Sequence, residues 1–152
     1  MSAFVSTEYS VGKAVQAKLK QARVARLATT DREGRPHIVP VCFAYDGQAF
    51  YTALDAKPKR VAPERLARVR HIRENPSVAL LVDEYREDWK RLWYVLVRGR
   101  ATLLLKSGGK ERAKAQRLLK AKYRQYRAGL LPAGALLIRI LPTRVISWGL
   151  PA

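Results

Sequence analysis

The sequence predicts a mainly β protein: a small antiparallel barrel of six strands flanked by helices. Two observations carry that expectation. Six β-type segments are joined mostly by turn signals, the pattern of hairpin-linked antiparallel strands. Three segments of helical spacing fall at the start, in the middle and near the end of the chain, and six strands are enough to close a barrel without exposed edges. At 152 residues with no long polar linker, the chain is expected to form one domain over 1–152.

The first helix is expected over about 9–21, where Val11, Val15 and Leu19 form one apolar stripe among lysines and glutamines. Arg23 to Thr30 then reads as a strand, Asp31-Arg32-Glu33-Gly34 as a turn, and Pro36 to Tyr45 as the second strand of a hairpin. Asp46-Gly47 is a strong hairpin signal, because both residues tolerate positive φ, and it leads into a third strand over Gln48 to Leu54.

Pro58 and Pro63 interrupt the pattern, and a short basic helix over Arg65 to Glu74 ends at Asn75-Pro76. Ser77 to Tyr85 is a buried-type strand, Arg86 to Lys90 a charged loop, and Leu92 to Lys106 a long strand in which Gly99 marks a bulge. After Ser107-Gly108-Gly109, a basic helix is expected over about 110–127, with Ala115, Leu118, Leu119, Tyr123 and Tyr126 on its apolar face. The sixth strand, Ala135 to Trp148, is expected to break at Pro142. The barrel strands thus fill about 23–106 and 135–149.

Composition narrows the function classes. The single cysteine, Cys42, forms no intrachain disulfide and completes no cysteine-based zinc set. His37 and His71 stand in no metal-ligand spacing, so no metal is expected. There is no secretion-type start and no apolar run near ~18 residues, so a cytoplasmic protein without a membrane span is expected. No G-x-S-x-G, G-x-G-x-x-G or Walker loop is present. The net charge of +18 attracts phosphate-bearing ligands of any size, so the position of the cations has to choose among them.

The densest cationic stretch is Lys57-Pro58-Lys59-Arg60 with Arg65, Arg68, Arg70 and Arg73. A proline-stiffened basic loop between two elements suits a phosphate group; the competing reading is a solvated charge run. A second cluster, Trp89-Lys90-Arg91-Leu92-Trp93-Tyr94, offers three aromatic rings that either pack in a core or dimer interface or line a planar heterocycle.

The runs VARLATTDREGRPHIVPVCFAYDGQAFYTALDAKPKR and IRENPSVALLVDEYREDWKRLWYVLVRGRA resemble the pyridoxamine 5'-phosphate oxidase-like family, in its deazaflavin-dependent branch. That resemblance covers about two thirds of the chain. It implies a six-stranded split β-barrel of the FMN-binding type, a homodimer, and cofactor sites at the subunit interface. Arg26, Ala28 and Thr29 of the first strand, Pro40 and Val41 of the second and Thr52 of the third would flank the ring. Lys57, Lys59 and Arg60 match the phosphate-binding stretch, Arg68 and Arg70 are further contacts, and Trp89 and Trp93 belong to the branch's D-W-x-x-L-W element.

The resemblance implies an oxidoreductase that moves a hydride between coenzyme F-420 and a small conjugated or heterocyclic substrate, with FMN as the alternative cofactor. A cofactor carrier without turnover has the same sequence signature. Nucleic-acid binding through the basic face of residues 110–127 is the weakest reading. No catalytic side chain is assigned, because a flavin or deazaflavin carries the chemistry itself; Tyr51, Tyr94 and His37 are the nominated proton donors.

Overall fold

The computed structural model describes residues 11–54, 63–105 and 109–151. A helix α1 (Lys13–Gln21) precedes strands β1 (Ala25–Thr30), β2 (Pro36–Val41), β3 (Ala44–Tyr45) and β4 (Phe50–Ala53). A second helix α2 (Pro63–Glu74) leads to β5 (Ser77–Glu84) and, after one 3-10 turn, to β6 (Trp93–Leu104). Helix α3 (Gly109–Lys122) and a π-type turn over Tyr126–Leu130 precede the last strand β7 (Leu137–Trp148).

All pairings are antiparallel, in the order β2-β1-β5-β6-β7-β4-β3. The expected second strand divides in two, so the sheet has seven strands rather than six. Its halves lie at opposite sheet edges, yet only Cys42 and Phe43 separate them. Three residue steps span at most about 11 Å. The sheet therefore curls until its edges nearly meet, which makes the split barrel.

Phe43 sits at that corner outside either ladder, so its backbone groups need partners from elsewhere. Tyr123 provides them: its Oη accepts from Phe43 N at 3.0 Å and lies 3.0 Å from Phe43 O. A buried tyrosine just past the end of α3 thus closes the barrel seam.

The sixth expected strand is not broken at Pro142. β7 runs through it by a bulge: Gly99 opposes Pro142 and Arg98 opposes Arg144, which leaves Thr143 as the extra residue. The bulge absorbs the missing proline N–H. Glycine is required opposite, since a Cβ on Gly99 would lie 2.6 Å from Leu141 O.

Inside the barrel, Leu27, Phe43, Phe50, Leu80, Val82, Val95, Val97, Ile138 and Ile140 form the main core, joined by Val15 and Leu19 from α1 and Ile72 from α2. A second cluster packs Ala115 and Leu119 of α3 on Tyr51, Ala53, Leu104 and Leu137. Consequently α3 covers the outside of β4, which is buried on both faces. The basic helix ends at Lys122, short of the expected Arg127, and the chain then turns at Gly129 with φ 101°.

Not all of α3's cations face water. Arg112 is buried and donates to the carbonyls of Leu104 at 2.9 Å and Ala133 at 2.7 Å, and also to Ala135. It pins the end of β6 to the segment that enters β7.

Candidate functional site

α3 covers β4 and the Leu104 and Leu137 ends of β6 and β7; among the described residues no helix lies over the rest of the outer face of β1, β5, β6 and β7, and the strand register sorts its side chains into rows. One end is aromatic: Asp83, Tyr94 and Trp148 are aligned, and the Tyr94 and Trp148 rings stack at 6.0 Å. The middle row runs Pro40, Arg26, Leu81, Leu96, Ile146. The next runs Ile38, Ala28, Ala79, Arg98, Arg144, and beyond it Ser77 opposes Arg100.

Where the side chains are smallest, the face is hollow. Ala28, Thr30, Ser77 and Ala79 form the floor of a cavity of about 430 Å³, and Arg98, Arg100 and Thr143 form a wall. That volume lies in the ~300–1,000 Å³ range of small-molecule sites. α2 ends beside it. Asn75 Nδ2 donates to Thr30 Oγ1 at 2.7 Å, and Ser77 N donates to Asn75 Oδ1 at 3.1 Å, so the helix that follows residues 57–60 in sequence is fixed to the cavity rim.

Two further cavities among the described residues contain ion pairs. One, between α1 and the β1–β5 edge, holds the pairs Arg26–Asp83 at 2.7 Å and Arg86–Glu84. The other, beside α3, is crossed by Lys114–Asp46 at 2.7 Å, with Glu111 held by Arg139 at 2.9 Å.

The expected site residues divide between the two faces of the sheet. Arg26, Ala28 and Pro40 share the outer face, and Ala28 is in the cavity floor. Thr29 also lines the cavity, although its side chain is buried inward with Oγ1 3.1 Å from His71 Nδ1. Val41 and Thr52 are buried, and Thr52 Oγ1 donates to Cys42 O at 2.7 Å. On α2, Arg68 is buried and Arg70 exposed. Lys57, Lys59 and Arg60 lie outside the described residues.

The two tryptophans part company. Trp93 is a core residue, 7% exposed, whose Nε1 donates to Glu84 Oε2 at 2.8 Å, while Trp89 is 70% exposed. That hydrogen bond, then Arg86, holds the Glu84 carboxyl below its usual range.

Among the nominated donors, Tyr51 is buried under α3 with its hydroxyl on Glu111. Burial, then the negative Asp46 and Glu111, push its pKa up to about 12. His37 points to the inner side, its ring edge-on to His71 at 5.6 Å. Tyr94 alone of the three stands on the outer face. Reading the sequence missed Ser77, Ala79, Arg98, Arg100 and Thr143, because their convergence depends on strand register. The one signal available was the alternation Arg98-Gly99-Arg100, which puts two cations on one face.

The sequence profile of the pyridoxamine 5'-phosphate oxidase family matches residues 11–149. The chain belongs to that family. Among solved structures, HutZ, the heme storage protein from Vibrio cholerae, superposes with a TM-score of 0.69 at 14% identity, over 87% of this chain and 90% of that one. A FAD-binding protein from Mesorhizobium loti gives 0.63 at 28% identity, over 87% and 89%. An F-420 reductase gives 0.59 at 22% identity, over 90% and 98%. Comparison with curated proteins finds no match. These neighbours, named for heme storage, FAD binding and F-420 reduction, share the fold of this chain. Among the described residues no group of three or more His, Cys, Asp and Glu could hold a metal, and no helix is long and apolar enough to cross a membrane.

Proposed function

We propose that this family member is an oxidoreductase that binds the deazaflavin coenzyme F-420 and moves a hydride to or from a small organic substrate. The observation that carries the reading is the cavity on the outer sheet face, whose paired floor residues Ala28 and Ala79 bear no side chain longer than a methyl. Small side chains on adjacent strands leave a slot a few ångströms deep, and a planar ring fills such a slot with little ordering cost. Bound there, the cofactor supplies the hydride chemistry.

The chain's own residues hold, orient and shield. Ala28 and Ala79 support the ring, and Thr29 and Thr30 offer backbone groups along β1. The cations of residues 57–60 and the arginines of α2 meet the phosphate, as the family resemblance implies. Tyr94 and Trp148 stand on the same face two side-chain rows from the cavity, where they would meet the part of a bound molecule that extends beyond the floor.

In the same proposal, two copies of the chain pair through this face. Ile38 is 62% exposed and Trp148 52%, and the row between them holds the half-buried Leu81, Leu96 and Ile146 beside Arg26. A second copy over the face would enclose the cavity and exclude water from the ring. Cofactor sites at the dimer interface follow.

FMN is the alternative cofactor, favoured by the FAD-binding neighbour, which has the highest identity of the three. The discriminating experiment titrates the protein with coenzyme F-420 and with FMN, following cofactor fluorescence, then mixes the complex with a reduced cofactor and a panel of conjugated acceptors. Preferential F-420 binding with hydride exchange supports the proposal. Binding of FMN alone moves the protein to the flavin branch, and binding without exchange makes it a carrier.

A further inference from the structure

Three arginines on the outer face have no counter-charge among the described residues. Arg98 is directly opposite Arg144 across the β6–β7 ladder, and Arg100 is two residues along on the same side. Among the described residues none of the three forms an ion pair. Arg26, on the same face, has Asp83 at 2.7 Å. Like charges placed directly opposite in a sheet destabilise it, so such a pair is expected where a ligand supplies the missing charge.

The cavity gives that ligand a place. Arg98 and Arg100 both line it, next to Ala79 and Ser77, their partners on β5. The bulge at Thr143 fixes their aim: Thr143 Oγ1 donates to Arg98 O at 3.2 Å, which ties the strand where the two guanidinium groups leave it. Two further cavities among the described residues contain acidic side chains and ion pairs, whereas the lining of this one holds no acidic side chain beside its two guanidinium groups.

A second copy's loop is a poor source of the missing charge. Residues 83–91 carry Asp83, Glu84, Glu87 and Asp88 but also Arg86, Lys90 and Arg91, and both Asp83 and Glu84 are already paired.

We propose that Arg98 and Arg100 form an anion subsite that holds a carboxylate or phosphate of the molecule lying on the Ala28–Ala79 floor, separate from the basic residues 57–60. It rests on the proposed reading only for the identity of that molecule. The anion belongs either to the cofactor or to a planar substrate.

The test compares wild type, the double variant R98Q/R100Q and a charge-matched control, R117Q/R124Q, at fixed ionic strength. Isothermal titration with phenyl phosphate and with benzoate is the first arm, and with F-420 and FMN the second. Charge-assisted contacts of this kind make the expected loss about tenfold or more in R98Q/R100Q, in at least one arm, with the control unchanged. A loss in the first arm alone gives the anion to the substrate, and a loss in the second gives it to the cofactor.

Unchanged affinity in both arms, or an equal loss in R117Q/R124Q, overturns the subsite. Wild type that binds phenyl phosphate through these arginines but neither cofactor sinks the cofactor reading and leaves the subsite standing. The variant removes a repulsion, so its thermal midpoint should equal or exceed that of wild type, and a folding failure would itself contradict the proposal.

Discussion

Lys122 shows how one residue can join the ends of the chain and carry a cost. Its ammonium lies 3.9 Å from the Phe43 ring centroid with no hydrogen-bond partner among the described residues. Burial, then the nearby Arg23, push its pKa down from 10.5 to about 8. Between those values the unfolded chain holds a proton that the folded protein has released, so folding stability rises with pH from about 8 to 10.5. The variant K122M keeps the stem and removes the charge. Chemical denaturation across that range should show wild type gaining on K122M, and parallel curves would refute the assignment.

Arg112 makes the opposite use of a buried cation. Its three carbonyl partners would be orphaned by truncation, so R112A should cost about 2–4 kcal/mol, read as a lower urea midpoint at unchanged slope. The expected basic helix over about 110–127 did not single out Arg112, because helical periodicity sorts residues by hydrophobicity and cannot see carbonyls arriving from another segment. For Trp93 the sequence left a core and a cofactor-lining reading open: an aromatic at a strand start packs inward or outward according to register, and here register puts it in the core beside Glu84.

At the level of elements, the strands were legible and their boundaries less so. The run from Pro36 to Tyr45 has no glycine or turn signal, so it read as one strand. What divides it is a tertiary demand: the barrel seam needs a corner, and Tyr123, eighty residues away, satisfies the backbone at Phe43. Pro142 misled in the other direction, since a bulge lets the strand continue. That bulge depends on Gly99. A G99A substitution forces Leu141 O away and should cost about 1–3 kcal/mol, with the cavity wall displaced as well. Differential scanning calorimetry should therefore show a lower midpoint for G99A; an unchanged midpoint would mean the β6–β7 crossing is slacker than its 2.6 Å approach implies.

For the whole molecule, the described helices leave most of one broad face of the sheet open, and the proposed function depends on that asymmetry. The family was readable in the sequence because its motifs are local: the strand-turn-strand start, the basic segment after β4 and the D-W-x-x-L-W element. The cavity was not, because Ala28, Ala79 and Arg98 are aligned only through two successive pairings between strands far apart in sequence. If the open face joins two copies, an aspartate in its middle row should separate them. Light scattering on L96D should give a monomer mass where wild type gives a dimer, with the far-ultraviolet circular dichroism preserved. A monomeric wild type would remove the second copy from the proposed site.

The central claim is that a planar cofactor lies on the Ala28–Ala79 floor, and filling that floor tests it most directly. The measurement is the dissociation constant of coenzyme F-420, and of FMN, for wild type and for A79L, whose added side chain points into the cavity and away from the core. The account predicts that A79L folds with a thermal midpoint close to that of wild type and binds the preferred cofactor at least about tenfold more weakly, a difference of about 1.4 kcal/mol. Equal affinity in the two proteins would contradict it and move the ring off this face of the sheet.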